Sequence, residues 1–367
     1  MESPVGDMMV AATHGPLAGL RIVELDMPGT VLFAGMLLAD LGCDIVRIRR
    51  PGSEASTVAA NLYRGRSQVS LDLSQAAGRE QALALIAQAD GVIEGYRPGV
   101  AEQVGLDPAR CLALNPRLVY ARASGWGREG PLAGTPGNDI NHLALSGVLH
   151  AIGPAAAPVP PLNLIGEYAG GSLFLALGLV SAILAAQATG RGQVIEAAQV
   201  DGAASMMSLY YALHASGRWA DARAANMIDG GAPYYRCYAC ADGRHVAVGA
   251  LEPHAFRALC DGLGIAPHGF DQYDRACWPA LTEALAAAFA SRGRDEWAAL
   301  FEAGGGCVTP VLSLNEAPLH PHNRARGTFA VQDGAMQPMP APRFSGTPAE
   351  ATPPVDEAVA DILARWA

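Results

Sequence analysis

The sequence predicts an α/β protein, a mostly parallel sheet with helices on both faces joined to a smaller α+β domain. Three observations predict it. Strand-like and helix-like segments alternate through the N-terminal half, the pattern shifts to hairpins from about Asn226, and 50% of the 367 residues are hydrophobic, enough for a large buried core.

The first unit of the alternation reads as a strand at Leu20 to Leu25, a loop at Asp26 to Thr30, an apolar helix at Val31 to Leu41 and a strand at Asp44 to Ile48. The pattern continues with a strand at Val69 to Leu73, a helix at Ala76 to Gln88 and a strand at Gly91 to Glu94. A helix near Val100 to Leu114 and a strand at Arg117 to Arg122 follow. Such alternation places ligands at the carboxyl ends of the strands. The first crossover has no Gly-x-Gly-x-x-Gly, so no nicotinamide or flavin motif supports a dinucleotide site. Ala169 to Thr189 is uncharged and long enough to span a bilayer. Its Gly and Ala content, its isolation and the strand-like Gln193 to Glu196 after it predict instead a helix buried all round. Hairpin strands at Tyr234 to Cys240 and His245 to Ala250 precede helices at Phe256 to Leu263 and Trp278 to Ala290. After Gly327 the chain is Pro-rich, then helical from Val355 to Trp366. The expected organisation is a large domain from 15 to 200, a linker helix at 201–225, a small domain at 226–312 and a return segment at 313–367.

Composition excludes several function classes. The net charge of −10 argues against general nucleic-acid binding, which needs a basic field, although a local basic site remains compatible with it. The sequence has no lysine, so all 25 basic side chains are arginine. Schiff-base chemistry, pyridoxal phosphate anchoring and a Walker-type phosphate loop are thereby ruled out. Seven cysteines without a regular framework fit reduced thiols. Cys237 and Cys240 sit three apart on a predicted strand, hence on opposite faces, which speaks against a redox or zinc pair. His320-Pro-His322 reads as a loop, so no metal is expected. The N-terminus lacks the pattern of a secretion signal, and the expectation is a cytoplasmic protein without membrane or nucleic-acid partners.

Arg47, Arg49, Arg50, Arg64, Arg66 and Arg97 follow predicted strands, with Pro-Gly turns at Pro51-Gly52 and Pro98-Gly99. Guanidinium forks bind phosphate bidentately, so the cluster suits a nucleotide-bearing ligand such as CoA; a solvated arginine surface fits the same pattern equally well. Two Gly-rich turns carry carboxylates, Gly137-Asn-Asp139-Ile-Asn-His142 and Gly166-Glu167-Tyr-Ala-Gly-Gly171, each at a predicted helix start. Glu252 likewise ends a strand and precedes a helix. On residue chemistry alone these carboxylates read as helix caps.

The segments Gly15-Pro-Leu-Ala-Gly-Leu-Arg-Ile-Val-Glu-Leu25, Glu94-Gly-Tyr-Arg-Pro-Gly99, Tyr120-Ala-Arg-Ala-Ser-Gly-Trp-Gly127, Asn226-Met-Ile-Asp-Gly-Gly-Ala-Pro-Tyr-Tyr235 and Cys307-Val-Thr-Pro-Val311 resemble the alpha-methylacyl-CoA racemases of the family III CoA-transferase (CaiB/BaiF) superfamily over nearly the whole chain. The resemblance implies a Rossmann-like large domain, a small domain and an interlocked homodimer. It implies CoA, as part of the substrate, near Arg50, Leu71, Asp72, Leu73, Ser74, Gly95, Tyr96, Arg97 and Gln103. It also implies that a histidine, partnered by a glutamate, and an aspartate work on opposite faces of a thioester α-carbon.

At those positions this chain departs from the pattern. The histidine slot is Asn138, which takes no proton, the aspartate slot is Glu167, and Glu252 has lost its partner. Ser74 and Gln103 stand where the resemblance leads one to expect basic residues. Asp139, or His142 four residues beyond the empty slot, are candidates for a relocated base. The expected function is acid/base chemistry at the α-carbon of an acyl thioester or related activated acyl compound. Racemisation itself is expected to be weak, or replaced by isomerisation or cyclisation. The alternatives are CoA transfer with Glu167 as nucleophile and a non-catalytic acyl-CoA-binding protein.

Overall fold

The structure is a computed structural model that describes residues 15–53, 61–266, 270–302, 304–332 and 334–367. The segment read for a secretion signal lies outside them.

The chain forms two compact units, 1–146 with 162–206 and 327–367, and 147–161 with 207–326. The expected domain limits differ from this in three places. Residues 147–161 join the second unit, so does the helix around 207–215 read as a linker, and the return to the first unit begins at Gly327.

The first unit is built on a parallel sheet of β1 (Arg21–Leu25), β2 (Asp44–Arg49), β3 (Arg66–Ser70), β4 (Gly91–Glu94), β5 (Val119–Ser124) and β6 (Gln193–Ala198). Its order is β3-β2-β1-β4-β5-β6, and a short strand at Val355–Asp356 extends it beyond β3. The order reverses between β1 and β4, which opens a crevice at their carboxyl ends. Helices α1 (Thr30–Asp40), α2 (Ala76–Gln88), α3 (Val100–Gln103) and α4 (Pro108–Leu114) follow the first strands. One core cluster joins Ile22, Val31, Leu38, Ile93 and Ala121 to Leu175, Leu179 and Ile183, and another joins Val23, Val46, Val92 and Leu85 to Ile362 and Trp366.

Several sequence expectations need correction. First, β3 begins at Arg66 rather than Val69, because its charged start is buried through pairing. The Arg66 guanidinium, fully buried, donates to Glu24 Oε2 at 2.6 Å and to the carbonyls of Leu62 and Leu32. Second, the helix expected from Val100 to Leu114 is two helices. Gly105 turns with φ 69°, and Asp107 caps α4 by accepting from the Arg110 amide ahead of Pro108.

Third, the stretch Leu164–Thr189, long and apolar enough to cross a membrane by length and composition, is not buried all round. Its α-helical part, Phe174–Thr189, turns Leu175, Leu179, Ala182, Ile183 and Ala186 onto β5, β6 and α1. Leu177 and Leu184, on the opposite face, are 66% and 62% exposed in the single chain.

The second unit carries an antiparallel sheet of β7 (Tyr235–Ala239), β8 (His245–Gly249) and β9 (Val308–Pro310). Helices Pro253–Leu263, Trp278–Phe289 and Arg294–Glu302 bury an aromatic core of Tyr234, Tyr238, Phe256, Trp278, Phe289, Trp297 and Phe301. Cys237 is exposed and Cys240 buried, as opposite faces of a strand require. Val355 begins a two-residue strand rather than a helix, and the terminal helix runs from Val359 to Trp366.

Removing one partner of a buried ion pair leaves an uncompensated charge, at a cost of about 3–5 kcal/mol. Arg66→Met is therefore expected to lower unfolding stability by that order in urea titrations, whereas Arg191→Met, at an exposed residue, should leave the midpoint nearly unchanged.

Candidate active site at Glu167

Glu167 lies in a π-helical segment, Leu164–Leu173, that runs directly into the long apolar helix. The wider turn is visible in the Tyr168 amide donating five residues back to the Asn163 carbonyl at 3.2 Å. Such turns are frequent at functional sites. The segment is Gly-rich because backbone packs on backbone here. A Cβ on Gly170 would lie 2.9 Å from the Ala203 amide nitrogen, and one on Gly202 would overlap the Gly170 carbonyl.

Three contacts fix the glutamate. Its backbone amide donates to Asp139 Oδ1 at 2.6 Å, Asn163 Nδ2 donates to its Oε1 at 3.2 Å, and its carboxyl lies against Gly29. A Cβ on Gly29 would stand 3.0 to 3.2 Å from the carboxyl carbon and oxygens, and Gly29 has φ 77°. The positive φ favours glycine at this start of α1, and a Cβ there would crowd the carboxyl. No protein group donates to Oε2 among the described residues. Burial is the main cause that raises the Glu167 carboxyl above the usual carboxylate range; the Asn163 bond opposes it and the nearby Asp139 charge adds to it.

Asp139 and His142 belong to α5 (Asp139–Leu145), with Asn138 as its N-cap. The Asn138 amide donates to Asn141 Oδ1 at 3.1 Å, and its residue is exposed next to the Asp139–Glu167 contact. Asp139 is 9% exposed and holds the Glu167 amide with Oδ1, while Oδ2 is buried with no partner among the described residues.

His142 is 2% exposed. Gln199 Nε2 donates to Thr30 Oγ1 at 2.9 Å, which leaves Gln199 Oε1 to accept from His142 Nδ1–H at 2.7 Å. The other ring nitrogen faces Gly125 and Gly137, and Trp126 packs edge-on at 4.4 Å. Burial lowers the His142 pKa, so the ring stays neutral. This surround ties α5 to the helix Gln199–Met206 and gives the imidazole no open path to a substrate. Glu252 lies in the other unit, exposed as the N-cap of Pro253–Leu263 without a side-chain capping bond.

A cavity of about 440 Å³ at the carboxyl ends of β2, β3 and β4 brings together Arg50, Asp72, Leu73, Ser74 and Tyr96, with Pro51, Val100 and Val104. Leu71 is buried behind it in the core, Gly95 packs against Val31, and Arg97 and Gln103 are exposed without lining it. Burial pushes the Tyr96 phenol up to about 12, against the opposing charge of Arg50. Among the described residues no group of three or more His, Cys, Asp or Glu side chains is placed to hold a metal.

The family model of CoA-transferase family III matches residues 17–356. The chain belongs to that family. Alpha-methylacyl-CoA racemase of Mus musculus is 40% identical over 358 residues, covering 95% of this chain and 93% of the relative. The protein of that name from Homo sapiens is 40% identical over 336 residues, covering 91% and 87%. Acetyl-CoA:oxalate CoA-transferase of Acetobacter aceti is 29% identical, covering 92% and 91%. The fold is also that of a CaiB/BaiF family protein from Brucella suis, with TM-score 0.82 at 24% identity, covering 96% of this chain and all of that one. Named relatives in family III thus include racemases and CoA-transferases.

Asn163, Gln199, Thr30 and Gly29 were not singled out in the sequence. Only Asn163 carried a usable signal, its spacing of four residues from Glu167 in a helix-forming segment. The other contacts join residues far apart in the chain.

A carboxyl whose folded pKa is raised contributes stability that is present below its unfolded pKa and is lost as pH rises through the folded one. Glu167→Gln removes that loss. The variant is expected to unfold at a higher temperature than the parent at pH 7, with the difference vanishing below the ordinary carboxylate range; equal melting temperatures at pH 7 would show that burial does not strain the charge.

Proposed function

We propose that this family III protein performs proton transfer at the α-carbon of an acyl-CoA thioester, with Glu167 as its acid/base group. The observation that carries the reading is the half-buried Glu167 carboxyl with a raised pKa, presented by a π-helical turn that is held by Asp139, next in sequence to Asn138, whose side chain has no titrating proton. A raised pKa suits a group that must both take and return a proton near neutral pH. A carboxylate removes the α-proton, the resulting enolate carries charge on the thioester oxygen, and the same carboxyl returns the proton. Asn138 orients substrate or enolate through its amide. With one titrating face, exchange with retention outpaces inversion. The 40% identity to proteins named alpha-methylacyl-CoA racemase supports the substrate class.

A second reading is CoA transfer, in which the Glu167 carboxylate attacks the thioester carbonyl, forms a mixed anhydride and releases CoA thiolate; the thiolate attacks the glutamyl carbonyl and expels the donor carboxylate, and an acceptor carboxylate takes CoA from the glutamyl thioester through a second anhydride, which frees Glu167. The protein-unbonded Oε2 and the relatives named CoA-transferases favour it. The exposed Leu177 and Leu184 also support a homodimer, for which sedimentation should give twice the chain mass at low micromolar concentration and a folded monomer would refute it.

In D₂O, 2-methylacyl-CoA incubated with the protein is expected to gain α-deuterium faster than it loses its configuration, and Glu167→Gln should abolish the exchange. Asn138→His combined with Glu167→Asp should raise inversion relative to exchange. Rapid inversion by the unaltered protein would overturn the one-face reading. Turnover with a hydroxylamine-trapped Glu167 adduct would favour transfer.

A further inference from the structure

The hydrogen bonds around Glu167 form a closed circuit. Its amide donates to Asp139 Oδ1 at 2.6 Å, and its carbonyl accepts from the Ser172 hydroxyl at 3.2 Å. The same hydroxyl donates to the Thr30 carbonyl at 2.8 Å. Thr30 Oγ1 accepts from Gln199 Nε2 at 2.9 Å, and Gln199 Oε1 accepts from His142 Nδ1 at 2.7 Å. His142 lies about one turn beyond Asp139 on α5, which closes the path. Ser172, Thr30 and His142 are buried, and every member belongs to the first unit. The circuit grips Glu167 at both of its backbone polar groups, while Gly29, the neighbour of Thr30, bears on its carboxyl.

The imidazole of His142 meets an acceptor at one nitrogen and a donor at the other. Gln199 Oε1 takes the Nδ1 proton. A Cβ on Gly137 would stand 2.8 Å from His142 Nε2 and 2.7 Å from Trp126 Nε1, a buried indole donor with no partner among the described residues. Only the neutral ring with its proton on Nδ1 suits both neighbours, because an imidazolium sets a second N–H against the indole N–H. Trp126, Gly125 and Gly137 from the turns, Gln199 from its helix and Thr30 from α1 bring no charge. Asp139 on α5 favours the cation, and Glu167 stands behind it on the π-helical turn. Burial outweighs the Gln199 bond and the Asp139 charge, which is why the pKa of the ring is lowered.

We propose that His142 is a positioning residue for Glu167, whose neutral form locks α5 to the start of α1 through Gln199 and whose protonation opens that lock and switches the site off in acid. The inference rests on the reading of Glu167 as the acid/base group and adds how that group is held and regulated. Acid places a second proton on the ring, and the clash at the indole drives the ring off Gln199. Gln199 then releases Thr30, and Gly29 moves with it away from the carboxyl. Displacement of a reacting group by about 1 Å can cost about a hundredfold in rate. The ring itself touches no substrate, in keeping with its burial.

The test combines ¹⁵N NMR of the histidines with the pH dependence of α-deuterium exchange into 2-methylacyl-CoA, both on the full chain. NMR of the unaltered protein is expected to show His142 neutral at pH 7 with its proton on Nδ1; the other tautomer, or an imidazolium, overturns the proposal. Gln199→Leu and His142→Leu should each slow exchange about tenfold or more with KM unchanged. His142→Asn, whose amide donates from the Nδ1 position without titrating, should recover most of that rate. The acid limb of the exchange rate should follow two protons in the unaltered protein, on His142 and Glu167, and one in His142→Asn. Parental rates in the leucine variants, or an acid limb that His142→Asn leaves as it was, overturn the lock; the second of these decides the matter even where a leucine variant does not fold. Absence of exchange by the unaltered protein at every pH overturns the acyl-CoA reading instead, and the lock is then judged without substrate. Gln199→Leu should bring the titration of a ¹³C-labelled Glu167 carboxyl back toward the ordinary carboxylate range, and an unmoved titration overturns the lock.

Discussion

The contact between the Asp139 side chain and the Glu167 amide, at 2.6 Å, is the constraint on which the site depends. It joins the N-terminus of α5 to a π-helical turn 28 residues later, and so ties Glu167 to the residue that follows Asn138 in the chain. Gly166 allows the approach, since a Cβ there would stand 2.5 Å from Asp139 Oδ1. Gly29 then lets the same carboxyl lie against the start of α1, at the carboxyl edge of the sheet. Removing Asp139 would free the turn, and adding bulk at Gly29 would push the carboxyl away.

The roles of the three polar residues on α5 follow from their burial. Asn138 is exposed and carries no titrating proton, Asp139 is committed to a backbone amide, and His142 is committed to Gln199. Glu167 combines partial exposure with a raised pKa. Its environment is a compromise in stability, because the burial that raises the pKa also disfavours the charged form at neutral pH. Sites that do proton transfer commonly carry this cost.

The sequence made the parallel sheet and the hairpin unit legible because both rest on local periodicity, as at β1, β2, α2 and the β7–β8 pair. It misplaced the start of β3, since the burial of Arg66 depends on Glu24, 42 residues away. The assignment of 147–161 to the second unit has no local signature either. At the site, the resemblance to a family directed attention to Asn138 and Glu167, whereas residue chemistry alone gave helix caps. The burial of His142 could not be read, because the wall around it comes from Gly125, Gly137 and Trp126, and its bond from Gln199.

The most direct measurement is a crystal structure with a non-reactive 2-methylacyl-CoA analogue bound. The account predicts the α-carbon within about 3–3.5 Å of a Glu167 carboxyl oxygen, the distance of a near-attack arrangement, with the Asn138 amide as its polar neighbour on the other side. An α-carbon out of reach of Glu167, or one approached by His142 after rearrangement of Gln199, would contradict it.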